Sequence, residues 1–132
     1  DHDYPVAAAR LASARGAKRF LLVSSLGANA RSRVFYNRVK GEVERDVAAV
    51  PFEGVALLRP SLILGPRAER RTAEDLAQRL MPLAAPLLVG PLRGYRAIDA
   101  TTIARAMVRL AREGFRGVRV VESDEIAALG SA

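Results

Sequence analysis

The fold is decided by a short apolar stretch, KRFLLVS at Lys18–Ser24, in which hydrophobic side chains follow one another without alternation. An unbroken run of this kind is typical of a β-strand covered on both faces in a parallel sheet. A second such stretch, GVALLRP, lies at Gly54–Pro60, and a helical pattern separates the two. Buried strands that alternate with amphipathic helices predict βαβ crossovers, so we expect an α/β protein with a parallel sheet.

The flanking elements are predicted from helix start and stop signals. Asp3 and Pro5 open an alanine-rich helix over 6–15, and Gly16 ends it. Asp99 is placed to cap a later helix that Gly114 ends. The other predicted elements are a helix over about 34–49, that later helix over about 101–112, a strand over 117–122 and a short helix over 125–129. No linker interrupts the pattern, so we expect residues 1–132 to belong to one domain.

The composition excludes several classes of active site. The chain has 132 residues, half of them hydrophobic, so it can bury a core. It contains no cysteine, which excludes disulfides, thiolate zinc sites and cysteine nucleophiles. Its single histidine is His2, near the start of the chain, so neither a Ser-His-Asp triad nor a multi-histidine metal cluster is expected.

Hydropathy and charge bear on location and partners. The most apolar segment, Leu80–Val89, is broken by prolines and is shorter than the roughly 20 residues of a membrane span. We interpret it as a cap over the site, and packing of the same leucines in the core is the alternative. With no secretory signal before Asp1, we predict a soluble cytoplasmic protein without a membrane partner. The net charge of +7 is spread over dispersed arginines and aromatics are few, so no nucleic-acid partner is predicted, although Arg67, Arg70 and Arg71 cluster locally.

The clearest chemical signal is the pair Tyr36 and Lys40, four residues apart in a predicted helix shortly after Ser24 and Ser25. Residues at i and i+4 share one helical face, so the phenol and the ammonium can meet the same ligand. A nearby cation favours the phenolate and lowers the pKa of a tyrosine from its usual value of about 10. A serine hydroxyl at the strand end can polarise the same substrate oxygen, and together these groups predict a hydride-transfer site.

The apolar pattern predicts where this pair points. Tyr36 and Lys40 fall on one stripe with Val43 and Val47, whereas Glu42, Glu44 and Arg45 lie away from it. We therefore expect Tyr36 and Lys40 to continue the buried face. The alternative is that Tyr36 is an ordinary core aromatic and Lys40 a lysine whose stem covers the edge of the core.

Three stretches together, SSLGA at 24–28, YNRVKGEVE at 36–44 and LRPSLILG at 58–65, resemble the atypical short-chain dehydrogenase/reductases. The branch that they resemble most is that of the Tat-interacting tumour-suppressor oxidoreductase. The resemblance implies a Rossmann fold that binds NAD or NADP and acts on a small carbonyl or alcohol substrate. It implies that Tyr36 is the acid/base, that Lys40 holds the nicotinamide ribose and tunes Tyr36, and that Ser24 or Ser25 fixes the substrate oxygen.

The same resemblance implies further cofactor contacts. The segment that meets the nicotinamide carboxamide corresponds here to Pro60, Ser61, Leu62 and Ile63. Arg71 stands where family members carry an arginine near the cofactor; a solvated surface arginine is the alternative.

One departure from the family is large. Its members begin with a strand and a Gly-x-x-Gly-x-x-Gly turn that receives the pyrophosphate, and this chain contains no such turn. We therefore expect the chain to be the C-terminal portion of a Rossmann domain, without the first βαβ unit. A sheet so shortened exposes a strand edge, which makes a homo-oligomer possible.

Two other functions stay open. A non-catalytic Rossmann-like protein could use the same fold for interaction or regulation, as a partial Rossmann domain would favour. A nucleotide-sugar epimerase or dehydratase is the third hypothesis, although the extended branch usually separates the serine and the tyrosine more widely.

Overall fold

The computed structural model describes residues 2–61, 63–64 and 97–131. The predicted cap at Leu80–Val89 and two predicted cofactor contacts, Leu62 and Arg71, lie outside the described residues. The described elements in chain order are α1 (Asp3–Ala14), β1 (Arg19–Val23), α2 (Phe35–Ala48), β2 (Gly54–Arg59), β3 (Ile63–Leu64), β4 (Ile98–Asp99), α3 (Ala100–Glu113), β5 (Gly117–Glu122) and α4 (Ser123–Leu129).

A parallel sheet of order β1-β2-β5 organises the described residues. Its register aligns Leu22 with Leu57 and Leu57 with Val120. The α/β prediction is confirmed. The prediction that the first strand is covered on both faces is confirmed, because Leu21 packs against one core, and Phe20 and Leu22 pack against the other. Within the described sheet β1 pairs with β2 alone, and Val23 at its end is 36% exposed.

Helices cover both faces of this sheet. Alternate β2 side chains point to opposite faces, so Val55 and Leu57 pack with the helices α1 and α2, while Ala56 and Leu58 pack with α3 and α4. The core on the face of α1 and α2 also contains Val6, Ala9, Val43 and Val47. The core on the face of α3 and α4 also contains Ile98, Ile103, Ala106, Leu110, Val121 and Ile126. This layering is that of a partial Rossmann-like fold.

Local sequence signals predict several of the helix ends correctly. The carboxylate of Asp99 accepts a hydrogen bond from the amide of Thr101 at 2.7 Å, and Gly114 ends α3 with a φ of 80°, as predicted. The parallel pair β3 and β4 was not predicted, because two residues per strand are too few to show a period. Helix α1 begins at Asp3 and α4 at Ser123, each earlier than predicted. Among the described residues, no helix is both long and apolar enough to cross a membrane.

Candidate active site

The carboxyl ends of β1 and β2 form one edge of the sheet. Pairing continues beyond the end of β1: the amide of Ser24 donates to the carbonyl of Leu58 at 2.6 Å, and the amide of Leu26 donates to that of Pro60 at 3.0 Å. The backbone that carries Ser24 and Ser25 therefore runs beside the segment that begins at Pro60. Four predicted site residues, Ser24, Ser25, Pro60 and Ser61, meet at this edge, as a parallel sheet requires.

The two strand-end hydroxyls are buried and lack partners. Ser24 is 6% exposed, and neither its Oγ nor that of Ser25 has a hydrogen-bond partner within the described part of the chain. A buried polar group left unsatisfied costs about 1–3 kcal/mol, so native proteins seldom keep one without a reason. Within the described residues, both hydroxyls therefore keep hydrogen-bonding capacity that a carbonyl or amide group could satisfy.

The loop after these serines is held tightly against α2. The amide of Asn29 donates to the carbonyl of Asn37 at 2.9 Å. At Gly41, a Cβ would lie 2.1 Å from the backbone nitrogen of Ala30, so a side chain there cannot be accommodated without moving the loop. Helix α2 follows the carboxyl end of β1 and leads to the start of β2, and its first turn therefore lies toward the same edge as the serines.

Tyr36 and Lys40 lie together on that end of α2. The Lys40 Nζ is 5.6 Å from the centroid of the Tyr36 ring, an arrangement in which the ammonium faces the π system. Tyr36 is 58% exposed, so the prediction that the pair continues the buried face is wrong. Burial on this stripe begins at Val43 and Val47, which pack in the same cluster as α1, and Tyr36 lies outside that cluster. The alternative of an ordinary core aromatic fails for the same reason.

The pair lines a cleft of about 370 Å³. Its described walls are formed by His2, Phe35, Tyr36, Val39, Lys40 and Val43. Neither Ser24 nor Ser25 belongs to this described lining. The structure thus brings the predicted residues together in two groups, the tyrosine with the lysine and the serines with the Pro60 segment.

His2 lines this cleft, and its imidazole lies between the carboxylates of Asp3 and Asp46. Its Nε2 lies 2.6 Å from Oδ2 of Asp46, and its Nδ1 lies 3.0 Å from Oδ1 of Asp3. The hydrogen bonds to Asp3 and then Asp46 raise the pKa of His2. The pKa of Asp46 is lowered, first by Arg45 and then by His2. His2 and Asp46 lie 44 positions apart, so the sequence carries no signal that His2 lines this cleft.

A buried ion pair joins α2 to the sheet. The Arg59 guanidinium donates to both carboxylate oxygens of Glu44, at 2.7 and 3.0 Å, and to Glu122 at 3.1 Å. Glu44 is 5% exposed, so the prediction that it lies away from the buried face is wrong. The hydrogen bonds that Arg59 donates to Glu44, and less strongly that to Glu122, raise the pKa of Arg59. An arginine at the end of an otherwise apolar strand was the available signal.

Ser123 was also missed. It is buried, and its Oγ accepts a hydrogen bond from the amide of Ser61 at 3.2 Å and lies 3.3 Å from the Ser61 hydroxyl. Ser123 is the first residue of α4, directly after β5. It therefore holds the Pro60–Ser61 segment from the β5 side of β2, whereas the serines of the β1 end lie on the opposite side of that strand.

Comparison with known proteins gives relatives but no family model that matches the chain. The chain is 39% identical over its full length to a protein of Aspergillus fumigatus, of which it covers 56%, and 40% identical over 89% of its length to one of Aspergillus clavatus, of which it covers 50%. A protein of Eremothecium gossypii is 35% identical over 98% of the chain, which covers 58% of it. Each relative is named a mitochondrial Fmp52 protein. The chain thus spans about half the length of the curated relatives that it matches.

These names overturn two predictions. The predicted branch, that of the Tat-interacting oxidoreductase, is wrong, because the relatives carry the name Fmp52. The predicted cytoplasmic location is wrong as well, because the relatives are named as mitochondrial proteins. The names state no activity.

Proposed function

We propose that the complete protein is an NAD(P)-dependent oxidoreductase of the short-chain type, acting on a small carbonyl or alcohol. The observation that carries this proposal is the placement of Tyr36 and Lys40, with the ammonium 5.6 Å from the ring centroid in a cleft at the first turns of α2. This end of the helix lies toward the edge where Ser24 and Ser25 keep unpartnered hydroxyls.

Each residue has a role that its chemistry can perform. The Tyr36 hydroxyl gives a proton to the substrate oxygen during reduction, or takes it during oxidation. The positive charge of Lys40 stabilises the negative charge that develops on the phenol oxygen in the transition state. A serine hydroxyl at the strand end donates a hydrogen bond to the same substrate oxygen. A bound nicotinamide would supply or accept the hydride.

The described residues fit the nicotinamide end of such a cofactor. The buried hydroxyls of Ser24 and Ser25 have no partner in the described part of the chain, and their backbone lies beside Pro60–Ser61, so amide and carbonyl groups of a ligand could satisfy them. We propose that Pro60, Ser61, Leu62 and Ile63 contact the carboxamide, that Lys40 contacts the ribose, and that Arg71 lies near the cofactor. The 132 residues contain no glycine-rich turn for a pyrophosphate, so the proposal concerns the complete protein.

A non-catalytic binding function is the second candidate, and one observation favours it. Tyr36 is 58% exposed, and the described lining of its cleft lacks the serines that a reacting oxygen would need. In that case the cleft binds a ligand or partner and no hydride is transferred.

Turnover measurements decide between the two. The complete protein is incubated with NADH or NADPH and a panel of aldehydes and ketones, and nicotinamide absorbance is followed. We expect turnover that Tyr36→Phe lowers about 100-fold or more, since general acid catalysis contributes at least that factor. Tyr4→Phe, at an exposed tyrosine of α1, is the matched control and should keep full activity. Dinucleotide binding without turnover would favour the second candidate, and retained activity in Tyr36→Phe would refute the assigned role.

A further inference from the structure

Arg59 occupies an unusual place between three elements. It is the last residue of β2, and its guanidinium spans from Glu44 on α2 to Glu122 at the end of β5. Glu44 is almost fully buried, while Glu122 is about half exposed. The contact to Glu44 is a fork, in which two nitrogens donate to two oxygens and so fix both distance and orientation.

The contact between Arg59 and Glu44 connects the two parts of the candidate site. Glu44 lies on the same helix as Tyr36 and Lys40, about one turn after Lys40. Arg59 directly precedes the Pro60–Ser61 segment, which runs beside the strand-end serines. One guanidinium thus joins the helix with the tyrosine to the edge with the unpartnered hydroxyls.

Stability alone does not explain such a contact. A buried ion pair is offset by the cost of removing two charges from water, and apolar residues of similar volume often serve the fold as well or better. The special property of the arginine fork is its fixed geometry, which a lysine cannot reproduce. The buried pair therefore suits a place where relative position matters.

We propose that Arg59 is a positioning residue, which holds α2 at the height where the Tyr36 hydroxyl and the strand-end serines face one reacting oxygen. Ser123 supports the same arrangement by holding the Ser61 amide at 3.2 Å. The role in catalysis rests on the proposed oxidoreductase function, whereas the positioning of Tyr36 does not depend on it.

The first test is Arg59→Lys in the complete protein. The variant keeps the positive charge but loses the fork, so we expect it to fold, with kcat about tenfold lower or more and KM for the carbonyl substrate changed less than about twofold, because a displacement of about 1 Å is costly to chemistry. Arg109→Lys is the matched control, since Arg109 donates to Glu113 on the exposed face of α3. It should leave kcat unchanged.

A second variant separates positioning from folding. Replacing both buried partners, as Glu44→Leu with Arg59→Met, should restore a melting temperature close to that of the parent protein while kcat stays at least about tenfold low. Recovery of kcat together with stability would overturn the proposal. If the double variant does not fold, the kcat and KM of Arg59→Lys alone decide whether the positioning role holds.

A third measurement needs no turnover. The complete protein is labelled with 3-fluorotyrosine, and the ¹⁹F signal of Tyr36 is identified by its absence in Tyr36→Phe. We expect this signal to move in Arg59→Lys and to stay in place in Arg109→Lys. An unmoved signal would overturn the positioning role. If the parent protein shows no hydride transfer at all, the oxidoreductase function fails, and the ¹⁹F result still decides whether Arg59 positions Tyr36.

Discussion

The Nε2 of His2 lies 2.6 Å from Oδ2 of Asp46 and joins the start of α1 to the later turns of α2. The second ring nitrogen faces Asp3 at 3.0 Å, so the doubly protonated imidazolium satisfies both carboxylates. His2, the central residue of this bridge, lines the Tyr36 cleft.

The bridge predicts a pH dependence of stability. The pKa of His2 is raised, so its contribution is complete below the ordinary value of 6.5 and is lost as pH rises through the raised value of the folded protein. The pKa of Asp46 is lowered, so its contribution is present above its ordinary 3.8 and is lost only in stronger acid. We expect the difference in melting temperature between the parent protein and His2→Gln to be largest near pH 5–6 and to shrink as the pH rises above 6.5. A difference that is constant across this range would contradict the bridge.

Loss of Arg59 alone should destabilise the fold. Arg59→Met leaves the carboxylate of Glu44 buried without its cation, which costs about 3 kcal/mol or more in unfolding free energy. Arg109→Met removes an exposed pair and should cost less than about 1 kcal/mol. Urea unfolding of both variants measures the two costs, and equal values would show that the burial of Glu44 has little effect.

Gly41→Ala sets two effects against each other. Alanine is favoured over glycine inside a helix by about 1 kcal/mol, but its Cβ would lie 2.1 Å from the Ala30 nitrogen. Overpacking against backbone costs about 1–3 kcal/mol, so we expect net destabilisation and a displaced serine loop. Chemical denaturation gives the sign. A more stable variant would mean that the loop yields easily.

Lys40→Met should lower kcat of the complete protein and weaken dinucleotide binding together, because it removes both the charge beside Tyr36 and the proposed ribose contact. The length of the side chain is kept, so the cleft retains most of its shape. Calorimetric titration and steady-state kinetics on the same preparation separate the two losses. Unchanged dinucleotide affinity would exclude the ribose contact.

The 132-residue chain alone should bind NAD or NADP only weakly and should self-associate. It contains no glycine-rich turn for the pyrophosphate, and within the described sheet the outer edge of β1 has no strand beside it. Val23→Lys places a charge at the exposed end of this edge and should reduce the association seen by light scattering. Dinucleotide affinity in the micromolar range from a monomer would contradict both expectations.

Elements with local signals could be predicted from the sequence. The apolar run at Gly54–Arg59 is continuous, the valine-rich strand at Gly117–Glu122 begins shortly after a helix-ending glycine, and the Asp99 cap needs only its own neighbours. The i, i+4 pair of Tyr36 and Lys40 is local in the same sense.

What could not be predicted depends on contacts between distant segments. Helical period alone put Tyr36 on the buried face, but burial depends on how far α1 reaches along α2. The partners of Glu44 and Ser61 lie 15 and 62 positions away, so the sequence does not show which residues these two contact, although the arginine at the end of β2 signals a partner.

The hydroxyls of Ser24 and Ser25 are buried and have no hydrogen-bond partner within residues 2–61, 63–64 and 97–131. We expect a small molecule that presents a hydrogen-bond acceptor to them to relieve the cost of leaving them unsatisfied, so that its binding free energy adds to the stability of the folded state. The melting temperature therefore becomes a screen for substrates that requires neither an assay nor a guess at the reaction. Ketones and amides should raise it, while hydrocarbons of the same shape, which leave both hydroxyls unsatisfied, should not.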